Sequence, residues 1–231
     1  RTTPAGINFM ATHGRGLICL ALTRERMRQL GIPVMAVDPT RGLPAYGASI
    51  EARQGVSTGI SASDRATTIL AAVAKEATSA DLVMPGHVTP IQLSLGGALV
   101  RAQLPEAASD LTRLAGLGPE AVLCDVLGRD GDLASAAELE SLAREHALPV
   151  LTVTDVVLMR LRSDTLVRRV SEAVLPLREG PAFRAIVYDT SIDQHQHLAL
   201  VLGDVRGDGE VLVRLHSEWL TGDVFGSERC D

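Results

Sequence analysis

Short apolar runs alternate with longer amphipathic segments along most of this chain. Residues 17–22 (LICLAL) and 121–124 (AVLC) have the length and composition of buried strands. Thr23 offers a cap for a helix after the first run, and a second helix is predicted from about Ser135 to His146. This alternation predicts an α/β (α+β) fold, a layered mixed sheet with flanking helices, and argues against a β-sandwich or a helical bundle.

Two further helices follow from local signals. The polar loop at residues 55–63 runs into a helix that we expect to begin near Asp64. Pro105 suits the first turn of another helix, whose apolar face carries Leu111, Leu114 and Ala115.

The remaining elements are predicted strands and one more helix. Thr154 and Asp155 are expected to cap this helix. The strands are predicted at residues 150–153, 185–188, 198–202 and 211–215.

The chain divides where its composition changes. Between Arg160 and Arg169 it becomes polar and basic, and strands with turns follow. We therefore predict a first domain at residues 1–163, a linker at 164–172, and the beginning of a second domain at 173–231. We also expect the protein to continue beyond both ends of this sequence.

Composition excludes several classes of protein. Hydrophobic residues make up 46% and charged residues 22%, which excludes a disordered polymer. No stretch reaches the roughly 18 uncharged apolar residues that span a bilayer, and a net charge of −6 gives no general attraction for nucleic acid. The three cysteines, Cys19, Cys124 and Cys230, are widely spaced, which favours a reducing cytoplasm over a disulfide framework.

The loop before the helix at Asp64 is the first candidate site. It brings Thr58, Ser61, Asp64 and Arg65 to a helix N-terminus, where free N–H groups favour an anion such as a phosphate. The alternative is an ordinary helix cap, with Ser63 or Asp64 capping and Arg65 in solvent.

Single polar residues give the other candidates. His87 lies in a turn and is suited to acid/base chemistry, and Asp125 follows a buried strand, a common place for active-site carboxylates. On the last predicted strand, Arg214, His216 and Glu218 share one face that could bind a polyphosphate or a nucleobase, or could form a solvated surface.

Taken together, these segments resemble a known family. Four segments occur in the order and approximate spacing of 3,4-dihydroxy-2-butanone 4-phosphate synthase: residues 13–20 (HGRGLICL), 55–65 (GVSTGISASDR), 85–88 (PGHV) and 114–117 (LAGL). Beyond the linker, two segments resemble the opening of GTP cyclohydrolase II: residues 211–218 (VLVRLHSE) and 220–227 (LTGDVFGS). The chain is therefore similar to bifunctional riboflavin-biosynthesis proteins that fuse these two enzymes.

The resemblance implies a lyase with the synthase fold, in the cytoplasm, that converts ribulose 5-phosphate to dihydroxybutanone phosphate and formate. It implies Mg²⁺ or Mn²⁺ and a homodimer for the first domain, and GTP and Zn²⁺ for an intact second domain. The residues that it implies are catalytic His87 and Asp125; substrate-binding Arg101, Glu106, Thr58, Ser61, Asp64, Arg65 and Cys19; GTP-binding Arg214, His216, Ser217 and Glu218; and zinc-binding Cys230.

Several positions depart from the family pattern. Leu104 stands where the family has a metal-binding His, Asp125 replaces a Glu, and Trp219 replaces a zinc-binding Cys. The family's acidic loop, expected upstream of Thr3, is not in this sequence. These departures leave an alternative open: a silent or repurposed paralogue that binds a sugar phosphate or dimerises with an active subunit.

Overall fold

The computed structural model describes residues 2–35, 44–177, 180–192, 195–207 and 209–216. These residues form two compact units, one within residues 2–166 together with 190–192 and one within residues 167–189 together with 195–216. Within the described ranges, no helix is long and apolar enough to cross a lipid bilayer.

The first unit is built on a mixed sheet with helices on both faces. Its helices are α1 (Pro4–Phe9), α2 (Arg24–Gln29), α3 (Ala62–Val73), α4 (Leu104–Leu114), α5 (Ala136–Glu145) and α6 (Val153–Ser163). Its strands are β1 (Arg15–Leu22), β2 (Ala45–Tyr46), β3 (Ile50–Ala52), β4 (Leu82–Gln92) and β5 (Ala121–Val126). The predicted α/β architecture of sheet and flanking helices is confirmed.

The long strand β4 organises the sheet. It pairs with β1 in parallel and with β2 and β3 in antiparallel orientation, while β5 pairs antiparallel with the other edge of β1. Because successive side chains of a strand point to opposite faces, β1 supplies both layers of the interior.

One face of the sheet carries the main hydrophobic core. Ile18, Leu20 and Leu22 of β1 pack there against Ile7 of α1 and Ile69 of α3, and all five side chains are buried. The opposite face of β1 contributes Ala21 to a smaller cluster beneath α4.

Two of the helix predictions need correction at their N-termini. Helix α3 begins at Ala62, not near Asp64, because the Ser61 hydroxyl accepts the amide N–H of Asp64 at 3.0 Å and caps the helix. Helix α6 begins at Val153, and its cap is Thr152, whose side chain forms a capping box with Asp155. The strand predicted at residues 150–153 is therefore wrong, since the cap sits where the strand was expected.

The predicted apolar face of α4 is also wrong as a buried face. Leu111 and Leu114 are exposed, as is Ala115 just after the helix, whereas Glu106 and Asp110 are buried. Charged partners from other segments draw these two carboxylates inward, and the helix turns its leucines to the surface.

The second unit contains a three-stranded sheet in the order β6 (Val167–Leu175), β7 (Phe183–Thr190) and β8 (Gln196–Val201). Strand β6 covers much of the segment that the sequence suggested as a linker. The strand predicted at residues 211–215 does not form, because no described strand pairs with it, and Leu212 and Leu215 are exposed. The regular face expected for Arg214 and His216 is therefore absent there, and Ser217, Glu218 and Cys230 lie outside the described residues.

Candidate active site

The polar loop before α3 folds around the Asp64 carboxylate. Asp64 Oδ2 accepts hydrogen bonds from Ser57 Oγ at 2.8 Å and from the Gly59 amide at 3.0 Å. The pKa of Asp64 lies below its ordinary value, mainly because of the hydrogen bond from the Ser57 hydroxyl and also because of the one from the Gly59 amide. The loop is thus held by its own side chains.

The other predicted residues of this loop have different positions. Thr58 is exposed, and Ser61 serves as the helix cap. Arg65 is half-buried, and its Nε is buried without a hydrogen-bond partner among the described residues. The predicted anion site therefore retains one uncommitted cationic nitrogen.

His87 is held by residues that the sequence analysis did not identify. Its Nδ1 lies 2.7 Å from Oε2 of Glu51, and Oε1 of Glu51 lies 2.8 Å from Oγ1 of Thr68. Glu51 and Thr68 are both buried. The available signal was a lone Glu in the apolar strand 50–52, because a buried carboxylate needs partners.

The sheet register brings two predicted residues, Cys19 and Asp125, to one face. Cys19 on β1 pairs with Thr89 on β4 and with Leu123 on β5. Side chains two apart on a strand share a face, so Asp125 lies beside Leu123, and Cys19, Leu123 and Asp125 line one cavity. His87 lies in the irregular part of β4, where the pairing with β3 shifts from Ile50–Val88 to Glu51–Val83, and it is not among the described residues that line this cavity.

A cavity of about 310 Å³ opens on this face. Cys19, Tyr46 and Asp125 supply polar groups to its wall, and none of the lining residues within the described ranges is cationic. The apolar wall includes Leu17, Ile91, Leu104, Leu123 and Val153. An anionic group of a ligand is therefore expected outside the cavity, away from Asp125.

The Cys19 thiol is strongly disfavoured from ionising. Burial, with Asp125 and Cys124 adding to it, raises its pKa from 9.0 to about 12. Burial, Cys19 and Asp125 also raise the pKa of Tyr46. At neutral pH both groups are protonated, so they can donate hydrogen bonds to a ligand but do not act as anions.

This protonation state predicts slow alkylation. At about pH 8 the thiolate fraction of Cys19 should be about 10³-fold lower in the folded than in the unfolded protein, so iodoacetamide should label it at least that much more slowly. Mass spectrometry of labelled peptides, with and without urea, measures both rates. Rates within tenfold of each other would refute the protonated, buried state.

Arg101 and Glu106, both predicted to bind substrate, bind each other in this structure. Oε1 of Glu106 accepts hydrogen bonds from Arg101 Nε at 2.8 Å, from Arg101 Nη2, and from the Ser94 amide at 2.9 Å. Arg101 Nη2 also donates to the carbonyl of Gln92 at 3.0 Å. The pair anchors the start of α4, next to the cavity wall formed by residues 102–105.

The described residues do not build a magnesium site by themselves. No three His, Cys, Asp or Glu side chains within these ranges are grouped to hold a metal ion. Asp125 is the one carboxylate in the described cavity wall, and Leu104 has no ligand atom. Magnesium needs oxygen ligands in octahedral geometry, and one carboxylate does not supply them.

Comparison with protein families divides the chain into two regions. Residues 1–159 match 3,4-dihydroxy-2-butanone 4-phosphate synthase, and residues 168–231 match GTP cyclohydrolase II.

Individual relatives agree with this division. A riboflavin biosynthesis protein RibBA of Aquifex aeolicus is 44% identical over 234 residues, covering 100% of this chain and 57% of that protein. A 3,4-dihydroxy-2-butanone 4-phosphate synthase of Pseudomonas aeruginosa is 45% identical over 212 residues, covering 91% of this chain and 58% of that protein. The chain thus spans less than two thirds of the length of these relatives.

Solved structures give the same picture. RibBX, a two-domain 3,4-dihydroxy-2-butanone 4-phosphate synthase from A. baumannii, superposes with a TM-score of 0.76 at 42% identity, covering 87% of this chain and 59% of that one. A synthase in complex with two magnesium ions has a TM-score of 0.65 at 32% identity, covering 71% of this chain and 82% of that one.

Proposed function

The chain belongs to the 3,4-dihydroxy-2-butanone 4-phosphate synthase family and continues into part of a GTP cyclohydrolase II, and from this we propose that it acts in riboflavin biosynthesis by converting ribulose 5-phosphate to 3,4-dihydroxy-2-butanone 4-phosphate and formate. The atoms of the two products sum to those of the substrate, so the reaction needs no oxidant or second substrate. It does need proton transfers at carbons beside the ketone.

The observation that carries this proposal is the hydrogen bond between His87 and the buried carboxylate of Glu51. An imidazole accepts and returns protons near neutral pH, and Asp125 gives the site a second proton-transfer group. We propose these two residues as the catalytic groups.

The cavity suggests how the substrate is oriented. Protonated Cys19 and Tyr46 are suited to donate hydrogen bonds to its hydroxyl and carbonyl oxygens. Because the described cavity wall has no cationic side chain, the phosphate is proposed to lie outside it, with Thr58 and Arg65 of the α3 loop as its binding residues. Arg101 is proposed to bind substrate only after its hydrogen bonds to Glu106 break.

Magnesium and the second region complete the proposal. Mg²⁺ is included on the strength of the related magnesium complex. GTP is proposed as a ligand of the second region because residues 168–231 match GTP cyclohydrolase II. Zinc binding at Cys230 stays a prediction, as does a cytoplasmic location, which the free thiols Cys19 and Cys124 favour.

A homodimer is also part of the proposal. Leu111 and Leu114 on α4 and Leu117 just beyond it form an exposed apolar strip that a second copy would cover. Sedimentation velocity over a range of protein concentrations tests this, and a monomer at all concentrations would reject it.

Formate release tests the proposed reaction. The full-length protein with ribulose 5-phosphate and Mg²⁺ should release formate, and His87→Gln should lower the rate by about 10²- to 10⁴-fold because it removes the acid/base group. His197→Gln, the same change at an exposed position of β8, is the matched control and should keep the wild-type rate.

Two results would reject the assignment. One is a wild-type protein that releases no formate, as the silent-paralogue alternative requires. The other is a His87→Gln variant that matches the control. Relatives named as synthases give that alternative no support.

A further inference from the structure

We propose that Glu51 is a positioning residue for His87, which it holds in the tautomer with the proton on Nδ1 and the lone pair on Nε2. This inference rests on the proposed function, in which His87 transfers protons. It assigns a role to two buried residues, Glu51, which is hydrogen-bonded to His87, and Thr68, which is hydrogen-bonded to Glu51.

The direction of each hydrogen bond follows from the backbone. The Ala52 amide can only donate, and it lies 3.0 Å from Thr68 Oγ1, so the Thr68 oxygen accepts there. The single hydroxyl proton of Thr68 is then directed to Glu51 Oε1 at 2.8 Å. The carboxylate accepts at this oxygen and is left with Oε2 facing His87.

Oε2 of Glu51 selects the imidazole tautomer. A carboxylate oxygen is an acceptor, so the His87 Nδ1 that lies 2.7 Å away must carry the proton. The lone pair of neutral His87 is therefore on Nε2. The His87 side chain is 41% exposed and that of Glu51 is 11% exposed, so the imidazole is the more accessible of the two groups.

The α3 loop covers the carboxylate. Gly59 is buried against both Glu51 and His87, and its amide is bonded to Asp64 Oδ2 at 3.0 Å. Keeping water from Glu51 strengthens its hydrogen bonds, because the local dielectric constant is low. Glu51, Thr68 and the loop thus form a rigid support for one imidazole orientation.

Glu51→Gln separates this role from simple packing. The amide has nearly the shape of the carboxylate, but the Thr68 hydroxyl still needs an acceptor, so the amide oxygen should face Thr68. The amide NH₂ then faces His87 Nδ1 and forces the proton onto Nε2. In Ser-His-Asp triads, the equivalent change lowers kcat by about 10⁴-fold through the wrong tautomer.

Nitrogen NMR reads the tautomer directly. Long-range ¹H–¹⁵N spectra of the imidazole-labelled full-length protein at alkaline pH, with the His87 signals assigned by their loss in His87→Gln, should show Nδ1–H in the wild type. Glu51→Gln should show Nε2–H and lower kcat for formate release by about 10³- to 10⁴-fold with little change in KM. Glu25→Gln, on the exposed surface of α2, is the matched control and should change neither readout.

Each outcome decides one of the two proposals. A Glu51→Gln protein that keeps the Nδ1–H tautomer, or keeps kcat within tenfold of the wild type, overturns the positioning role. A wild type with the Nδ1–H tautomer that flips in Glu51→Gln but releases no formate supports the orientation by Glu51 and rejects the proposed reaction.

Discussion

Asp110→Ala is expected to lower the free energy of unfolding by about 3 to 5 kcal/mol. The Asp110 side chain is 1% exposed, and its Oδ2 accepts from the Ala98 amide at 2.8 Å and from Arg160 Nη1 at 3.0 Å. Truncation leaves a buried guanidinium and a buried amide without this acceptor, and water reaches neither easily. Urea unfolding followed by circular dichroism measures the change, with an unaltered m-value showing that two-state unfolding is preserved.

Asp164→Ala is the matched control for this prediction. Asp164 pairs with the same Arg160 at 2.8 Å, but its side chain is 31% exposed at the end of α6. Solvent can replace the lost carboxylate there, so we expect the free energy of unfolding to fall by about 1 kcal/mol or less. Equal effects of the two changes would show that burial of Asp110 is not what stabilises this network.

Gly59→Ala is expected to lower kcat/KM for formate release by more than about 10³-fold. Gly59 has φ +86°, and an added Cβ would overlap the Glu51 carboxylate and lie 2.6 Å from His87 Nδ1. The loop must move or the His87–Glu51 hydrogen bond must break. Displacing a reacting group by about 1 Å can cost about 10²-fold, and loss of acid/base function adds a comparable factor.

Gly116→Ala separates this clash from backbone strain. Gly116 has φ +73°, close to that of Gly59, but an added Cβ there meets nothing within 4 Å. Both variants therefore carry the strain of a left-handed alanine, about 1 to 2 kcal/mol, and Gly59→Ala alone disturbs the site. Thermal unfolding measures the strain, and formate release measures the activity. If kcat/KM of Gly59→Ala were within tenfold of that of Gly116→Ala, the predicted clash with Glu51 and His87 would be contradicted.

Local signals predicted many of the elements correctly. The apolar run at residues 17–22 became β1, Thr23 caps α2, and Ser135 caps α5 with Glu138. These features depend on residues a few positions apart, so they are visible in the sequence. The predicted strand at residues 211–215 failed because a strand needs a pairing partner, and none is present for it within the described ranges.

In the candidate site, too, the sequence did not reveal which distant residues are partners. His87 stood out because its motif matches a family, but its partner Glu51 lies 36 residues earlier, and Thr68, which holds Glu51, lies 17 residues after Glu51. A charged residue in a short apolar strand gives no indication of which distant group satisfies it. Pairing depends on sheet register and on how the α3 loop folds back.

The sequence by itself determined the layered α/β fold and the family, because alternation, caps and ordered motifs are local or linear properties of the chain. Only the tertiary structure decided which carboxylates are buried. Asp110 lies inside because Arg160, 50 residues later, returns to pair with it, and α4 therefore exposes Leu111 and Leu114. Burying a charge requires donors that only the folded chain brings together, so hydrophobic periodicity alone predicted the wrong face.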